Sequence, residues 1–222
     1  MSSIELKIQN NLAEVRRRIQ AAAERAGRTP DTVRLVAVTK TVGVEEARII
    51  HDLGVQDLGE NRVHVAQDKI ERLDRPARWH MIGNCQRRKA REVVALFDCV
   101  DAVDRVKLAE ALQRRCEERD KTLRILIEVN VSGEDAKQGI APGEIAAVLR
   151  QVKQFDRLTV DGLMTMAPFV DDPEQARPVF AGLRALAQDL GLPELSMGMT
   201  NDYEVAIEEG ATQVRIGSAL FA

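Results

Sequence analysis

The sequence predicts an α/β protein: a single (β/α)8 barrel of the TIM type with an additional long N-terminal helix, formed by residues 1–222 as one domain. Eight short apolar runs of strand length alternate with amphipathic stretches of helical period, a pattern typical of βαβ units and a parallel sheet. Eight is also the number of strands in a closed barrel of this type. No low-complexity linker divides the 222 residues.

Residues 4–26 predict a long helix, because their apolar side chains recur at helical spacing: Ile4, Ile8, Leu12, Val15, Ile19 and Ala22. Gly27 and Pro30 then end it. The sequence stops at Ala222, directly after the eighth predicted strand, so we expect no final helix there. The N-terminal helix is expected to take that place in the outer ring.

The later elements follow from the same two periods. Short apolar runs between turn signals predict strands at 34–39, 55–58, 79–82, 99–103, 124–130, 159–166, 194–199 and 213–218. Amphipathic stretches predict helices at 45–53, 62–73, 87–96, 106–119, 142–154, 173–190 and 202–209. Asn201 and Glu204 form a capping-box pattern at the start of the last helix. An open doubly wound sheet is the alternative fold, but no Gly-x-Gly-x-x-Gly follows the first strand.

Composition limits the classes of function. A net charge of −3 argues against a nucleic-acid-binding surface. Cys85, Cys99 and Cys116 lack CxxC spacing, which indicates reduced thiols and neither a disulfide framework nor a metal site. The charged N-terminal region is no signal peptide, and no apolar run reaches membrane-spanning length. We therefore expect a cytoplasmic protein with no nucleic-acid, membrane or metal partner.

The first predicted strand ends on Lys40, after the buried-type run Leu-Val-Ala-Val-Thr. Ligand sites in parallel α/β proteins collect at the carboxyl ends of the strands. A desolvated lysine there has a lowered proton affinity, so its neutral amine can attack a carbonyl and form a Schiff base. A lysine that snorkels to solvent at a strand terminus fits this stretch equally well.

Two later segments have the composition of a phosphate site. Ser-Met-Gly-Met-Thr at 196–200 leads into a predicted helix, and Arg-Ile-Gly-Ser at 215–218 ends the eighth strand. Phosphate sites in such barrels often follow strands seven and eight. Glycines permit close backbone approach and hydroxyls donate hydrogen bonds. Taken singly, each segment has a purely structural interpretation as well, in which its serine and threonine residues cap a helix and its glycine forms a turn.

Several segments together resemble one family, the pyridoxal phosphate homeostasis proteins, over nearly the whole chain. They include Gly-Glu-Asn at 59–61, the Ser-Met-Gly-Met-Thr segment, and Val-Arg-Ile-Gly at 214–217. The others are 38–41, 79–83, 130–134 and 162–166. The resemblance implies a barrel like the N-terminal domain of alanine racemase that holds pyridoxal 5'-phosphate.

The resemblance also implies cofactor-binding residues. Lys40 would form the Schiff base, Asn61 would lie beside the ring, and Arg215 would face the pyridine nitrogen. Around the phosphate it implies Ser196, Thr200, Gly217 and Ser218, with Met199 in the same loop. It implies no catalytic residue.

The implied function is cofactor buffering or delivery in vitamin B6 homeostasis, without a defined catalytic reaction. The implied partners are pyridoxal phosphate and, in transient contacts, enzymes that depend on it, and the chain is expected to be a monomer. Arg215 beside the pyridine nitrogen disfavours its protonation, so the ring is a weaker electron sink, which argues against transamination.

Two enzymes are the alternatives. A small amino-acid racemase would need a second acid or base opposite the lysine, and the one tyrosine, Tyr203, is expected to have a packing or surface role. A class I aldolase-like barrel would form its imine with substrate and hold no cofactor.

Four further residues are weighed against the family pattern. His80 is expected to be hydrogen-bonded to the structure instead of acting as a base. Family members usually have Ile-Gly-His-Leu-Gln where this chain has Ile-Gly-Asn-Cys-Gln at 82–86, so Asn84 replaces the usual histidine. The thiol of Cys85, which replaces the leucine, is expected to be inert. Lys137 matches a lysine of the family's Ser-Gly-Glu-x-x-Lys-x-Gly segment and is a candidate second amine for aldehyde capture.

Overall fold

The computed structural model describes residues 2–134 and 137–222 and contains a closed barrel of eight parallel strands. Each strand pairs with the next one along the chain, and the first pairs with the last. The strands are β1 Arg34–Val38, β2 Asp57–Glu60, β3 Arg78–Met81, β4 Cys99–Val103, β5 Leu123–Glu128, β6 Leu158–Met164, β7 Glu194–Ser196 and β8 Gln213–Ile216. The predicted barrel is confirmed, and the open sheet is excluded.

Helices surround the barrel and connect its strands. They are α1 Ser3–Arg25, α2 Val44–Asp52, α3 Val63–Leu73, α4 Ala90–Leu96, α5 Val106–Glu117, α6 Ile145–Val152, α7 Arg177–Leu190, α8 Tyr203–Glu208 and α9 Ser218–Phe221. Three predicted helices begin with a 3-10 turn: Arg87–Lys89, Pro142–Glu144 and Pro173–Ala176. Within the described ranges, none of the helices has both the length and the apolar character needed to cross a membrane.

The long N-terminal helix is confirmed, but the expectation about the end of the barrel is partly wrong. A one-turn helix, α9, follows β8 where none was expected. Helix α1 nevertheless lies between the last and the first helices of the ring, in contact with α8, α9 and α2. Its buried face, which includes Leu12 and Val15, covers the side of the barrel that those short helices leave open.

Most strands begin or end within two residues of their prediction, and β2 and β7 show why some boundaries differ. The second strand was predicted at 55–58, whereas β2 is Asp57–Glu60. Val55 is apolar because it packs in the core before the strand begins, and Gly59 pairs with Val38 through its backbone. The seventh strand was predicted to reach 199, but β7 ends at Ser196, and Gly198 has a φ of +92° that is incompatible with extended backbone.

The capping box predicted at Asn201 and Glu204 does not form. The Asn201 amide donates instead to the Val170 carbonyl at 2.9 Å. Asp202 stands at the N-cap position of α8, and its carboxylate accepts from the Met199 amide at 2.6 Å. The turn before α8 is therefore held by contacts within the loop and to the preceding loop.

The strands separate an apolar core, which lies between the barrel and its helices, from the lumen inside the barrel. Their outward side chains join the helices in one large apolar core, whereas Ala102, Leu126 and Met164 form a separate small cluster. Leu126 alternates along β5 with Ile125 and Ile127, which belong to the large core, so the small cluster lies in the barrel lumen. Buried polar side chains occupy the rest of the lumen, and they lead to the candidate site.

Candidate functional site

A cavity of about 580 Å³ opens at the carboxyl ends of the strands. Because those ends converge on one face of a closed barrel, residues far apart in sequence line the same space. Among the lining residues are seven of the predicted site residues: Lys40, Asn61, Met199, Thr200, Arg215, Gly217 and Ser218. The eighth, Ser196, lies elsewhere.

Lys40 stands at the mouth of this pocket, two residues after the end of β1. Its side chain is exposed, so of the two interpretations that the sequence left open, the structure does not show the desolvated lysine. Within residues 2–134 and 137–222, no hydrogen-bond or ion-pair partner is seen for its ammonium group. The amine is thus available to a ligand.

A buried clamp, formed by Thr39, Glu60 and Lys69, lies directly beneath Lys40. The Lys69 ammonium donates to the Glu60 carboxylate at 2.6 Å and to the Thr39 carbonyl, and the Thr39 hydroxyl donates to the same carboxylate oxygen at 2.6 Å. Thr39 precedes Lys40 and Glu60 precedes Asn61. The clamp therefore ties together the strand ends that carry two pocket residues.

Sequence reasoning missed Lys69, although a signal was present. Lys69 falls three residues after Ala66 and four before Leu73, on the buried face of α3. A lysine on that stripe needs a buried partner, because an unpaired buried charge is costly.

Asn61 is held in place by close packing with Gly83. A Cβ atom on Gly83 would stand 2.7 Å from the Asn61 Cβ and 2.8 Å from the Asn61 carbonyl oxygen. Only a residue without a side chain lets the loop after β3 approach Asn61 so closely.

The loops after β7 and β8 form a small polar cradle. The Ser218 hydroxyl donates to the Thr200 hydroxyl at 3.2 Å. Gly198, with its positive φ, leaves room for α8, since a Cβ there would stand 2.6 Å from that of Ala206. Gly217 lies against β1, where a Cβ would come within 3.2 Å of the Val38 carbonyl oxygen. Hydroxyls and side-chain-free backbone of this kind suit a phosphate.

Arg215 enters the pocket from β8 and is 4% exposed. Its guanidinium donates to the Ser196 hydroxyl at 2.6 Å and to the Thr165 carbonyl at 2.9 Å. Ser196 is fully buried, and its hydroxyl also accepts from the Gln213 amide at 2.9 Å. The structure thus places Ser196 behind Arg215, where its oxygen holds the guanidinium.

Carboxyl groups surround the Arg215 guanidinium. Burial lowers the pKa of Arg215, and Asp101, Asp202 and Glu128 oppose that effect. Burial likewise raises the pKa of Asp202, which lines the pocket. Because a guanidinium ordinarily titrates far above neutrality, Arg215 provides a buried positive charge.

The hydrogen bonds of Arg215 continue into the lumen as far as His80. The Gln213 amide donates to Asp101, whose carboxylate lies 3.2 Å from His80 Nδ1, while His80 Nε2 lies 2.9 Å from Asp57. Burial lowers the pKa of His80, but Asp101 and Asp57 outweigh it and raise that pKa to about 9. The expectation of a hydrogen-bonded structural histidine is confirmed. Sequence reasoning missed Gln213, Asp101 and Asp57. A signal was present, because each is a polar residue inside a strand that is otherwise buried.

Tyr203 packs away from the pocket. It is 1% exposed, and the Arg18 guanidinium lies 5.2 Å from its ring centre. Within the described residues its hydroxyl has no hydrogen-bond partner, and burial raises the pKa of that hydroxyl. The expected packing role is confirmed, so Tyr203 supplies no second base to Lys40.

The remaining candidates lie near the rim of the pocket. The Lys137 ammonium donates to the Met166 carbonyl at 3.3 Å. Asp135 and Ala136, in the same family-like segment, lie outside the described residues. Cys85 is buried, and burial raises the pKa of its thiol to about 11, which disfavours the reactive thiolate as expected for an inert cysteine. Considering only residues 2–134 and 137–222, no three His, Cys, Asp or Glu side chains are grouped to hold a metal ion.

The pocket therefore combines three kinds of group: an available primary amine, a buried guanidinium, and a cradle of hydroxyls and glycines. These groups suit a ligand that carries both a carbonyl and a phosphate.

Comparison with known sequences agrees with this chemistry. The model of the alanine racemase N-terminal domain family matches residues 10–222. A pyridoxal phosphate homeostasis protein of Pseudomonas aeruginosa is 43% identical over 217 residues, which cover 96% of this chain and 94% of that protein. Another protein of that name, from Aquifex aeolicus, is 41% identical over 217 residues and 95% of both chains.

Solved structures show the same fold. PipY of Synechococcus elongatus, solved with pyridoxal phosphate bound, has a TM-score of 0.85 and 32% identity, covering 97% of this chain and 100% of PipY. The crystal structure of an unknown protein from Bifidobacterium adolescentis has a TM-score of 0.93 and 36% identity, covering 100% of this chain and 97% of that protein. An alanine racemase of Clostridium difficile, at 12% identity and a TM-score of 0.75, is similar in fold alone; the match covers 96% of this chain and 56% of the racemase.

Proposed function

The chain belongs to the family of pyridoxal phosphate homeostasis proteins, and we propose that it binds pyridoxal 5'-phosphate as a Schiff base on Lys40 and buffers or delivers this cofactor. The observation that carries the proposal is the meeting of the available Lys40 amine, buried Arg215 and the Thr200–Ser218 hydroxyl pair around one pocket. Residues 1–222 would act as one binding domain.

The residues of the pocket fit this cofactor, which supplies an aldehyde on an electron-withdrawing ring. Lys40 would hold the cofactor through its amine, since a primary amine condenses with an aldehyde and releases water. The clamp of Thr39, Glu60 and Lys69 fixes the backbone immediately before Lys40, so the amine is presented from a rigid strand end.

The other groups divide between the phosphate and the ring. Thr200, Gly217 and Ser218 would hold the phosphate through hydroxyls and backbone. Asn61 would lie beside the ring, and Met199 would contribute from the same loop as Thr200. The cradle at the ends of β7 and β8 supports the phosphate assignment, and the positions of Asn61 and Met199 in the pocket lining are consistent with theirs.

Arg215 would face the ring nitrogen, with Ser196 as its positioning residue. The Ser196 hydroxyl and the Thr165 carbonyl orient the guanidinium from behind. A fixed positive charge disfavours protonation of the ring nitrogen, which weakens the ring as an electron sink. This arrangement suits holding the cofactor better than transamination.

Binding and delivery are favoured over racemisation. Two-base racemisation needs a second acid or base opposite Lys40, and Tyr203 is buried against Arg18 on the far side of α8. We propose transient contacts of a monomeric chain with enzymes that receive the cofactor.

An absorption titration of the full chain with pyridoxal phosphate tests the proposal. Wild type should develop the band of a protonated imine, and borohydride should make the attachment permanent at Lys40. Lys40→Ala should abolish both, whereas Lys107→Ala, which removes an exposed lysine of α5, should abolish neither. A band that survives in Lys40→Ala would refute the assignment of Lys40.

A second measurement separates a carrier from a racemase. Incubated with alanine in deuterated solvent, the loaded protein should exchange the α-proton no faster than free pyridoxal phosphate does. Faster exchange would favour the racemase.

A further inference from the structure

A second cavity, which we call the side cavity, adjoins the pocket of Lys40. It measures about 410 Å³ and lies at the carboxyl ends of β5 and β6. Met166, Phe169 and Met199 line both spaces, so the two cavities share part of their wall. The side cavity also contacts Glu128 and Lys137, which have no part in the function proposed above.

Glu128, the last residue of β5, lines this cavity and has an unpaired carboxyl oxygen. The side chain faces the lumen, because it alternates with Ile127 of the large core, and the residue is 2% exposed. Its Oε2 atom has no hydrogen-bond partner among the described residues. Burial and Asp104 raise the pKa of Glu128 to about 7, against the opposing effect of Arg215.

A buried carboxyl oxygen without a donor is costly to stability. Glu128 pairs with Met164 of β6 at the end of β5, so the barrel fixes its position and its side chain cannot turn away to bulk solvent. Such a group is satisfied when a ligand brings the missing donor. A charged donor such as an ammonium group makes a stronger hydrogen bond to a carboxylate than a neutral donor does.

Lys137 supplies a positive charge to the same cavity. Its ammonium spends one of three hydrogens on the Met166 carbonyl, which leaves two for a ligand. Asn130, which also lines the cavity, makes most of its hydrogen bonds within its own loop. Its amide nitrogen is engaged by the Glu134 carbonyl, and its amide oxygen accepts from Ser132 and Gly133.

We propose that the side cavity binds a small α-amino acid as its zwitterion, with the ammonium group on Glu128 and the carboxylate on Lys137. One acid and one base within a cavity walled by Met166, Ala167 and Phe169 match a ligand that carries both charges and a small apolar side chain. A dianion would meet Glu128 unfavourably, and a simple amine would leave Lys137 unused. The proposal extends beyond cofactor binding and does not depend on it.

The experiment titrates the full chain, free of cofactor, with L-alanine at pH 8 and follows backbone amide signals by NMR. We expect saturable changes centred on the ends of β5 and β6. N-acetyl-L-alanine, which lacks the ammonium group, should bind at least tenfold more weakly. Because cofactor is absent throughout, failure here is distinct from failure of the Schiff-base assignment.

Matched variants test the two charges. Glu128→Gln and Lys137→Met should each weaken alanine binding about tenfold, whereas Glu110→Gln, on the exposed side of α5, should leave it unchanged. Binding by wild type should strengthen from pH 6 to pH 8 as Glu128 ionises in the field of Asp104, Arg215 and Lys137. That pH dependence should vanish in Glu128→Gln.

Three outcomes would overturn the proposal: no saturable change with alanine, equal binding of the acetylated ligand, or unaltered affinity in Glu128→Gln. The comparison of the two ligands uses only wild type, so the proposal remains testable even where a variant does not fold.

Discussion

A chain of hydrogen-bonded side chains crosses the barrel lumen and ends at the pocket. In order, its members are Asp57, His80, Asp101, Gln213, Ser196 and Arg215. The two carboxylates and the two cations alternate along it, so each buried charge has a partner, as buried ionic groups require. The orientation of Arg215 thus depends on side chains that no ligand touches.

The pH dependence of stability should report on this chain through His80. Its pKa is about 9 in the folded state against 6.5 ordinarily, so its contribution is fully present below pH 6.5 and is lost as pH rises through 9. That shift corresponds to at most about 3 kcal/mol of unfolding free energy. Urea unfolding from pH 6 to pH 10 should show the loss in wild type.

His80→Gln provides the comparison, since glutamine retains hydrogen bonding but does not titrate. Glu128, with its pKa raised to about 7, also makes the folded state less stable as pH rises. Most of that change occurs below the pH range in which His80 titrates, and it is the same in wild type and in His80→Gln. The difference between the two curves should therefore isolate His80. Parallel curves between pH 7 and pH 9 would show that His80 is not held as a cation.

At the scale of elements, the clamp of Thr39, Glu60 and Lys69 joins β1, β2 and α3. Its polar atoms are enclosed, with Lys69 4% exposed and the other two residues fully buried. The ion pair contributes less net stability than its short distances suggest, because both charges were desolvated. Removal of one partner, by contrast, is expected to destabilise the protein strongly, because the remaining charge stays buried without its partner.

Lys69→Met should lower the free energy of unfolding by about 3–5 kcal/mol, because Glu60 is left buried and unpaired. Chemical denaturation measures this change. Arg72→Met on the same helix breaks the exposed Arg72–Asp68 pair and should cost no more than about 0.5 kcal/mol. The double variant Glu60→Leu/Lys69→Met should recover most of the loss. If the double variant is as unstable as Lys69→Met, the buried charge is not the cause.

At the scale of the whole molecule, α1 connects the beginning of the chain with its end. It packs on α8 and α9, and Arg18 and Arg25 pair with Glu204 at its surface. Exposed ion pairs of this kind add little stability. The buried apolar side chains of α1 stabilise its contact with the neighbouring helices, so α1 is an integral part of the outer ring of helices.

Leu12→Ala should therefore destabilise the entire barrel, by about 2–5 kcal/mol, because Leu12 is 2% exposed within the core. Leu6→Ala on the same helix removes a side chain that is 51% exposed and should change the free energy of unfolding by no more than about 0.5 kcal/mol. Urea unfolding followed by circular dichroism measures both. Equal, small effects would mean that α1 is an appendage that the barrel does not need.

Much of this protein could be predicted from local patterns in the sequence. The two hydrophobic periods indicate eight strands with helices between them, and the carboxyl end of each strand is where its polar residues stand. Lys40, Asn61, Arg215 and the loop from Ser196 to Thr200 could be gathered in this way, with the family resemblance as a second source. The spacing of apolar residues shows which side chains of an element are buried, and this pattern can be recognised within a few residues of sequence.

Only the tertiary structure decided which buried residues face the lumen and which of them meet. Asp101 and Gln213 are 112 residues apart and touch only because the barrel closes. The same closure puts Ser196 behind Arg215, Lys69 beneath Lys40, and Glu128 beside a cavity shared with Met199. Alternation along a strand shows that two faces exist, but their partners depend on the register of all eight strands at once.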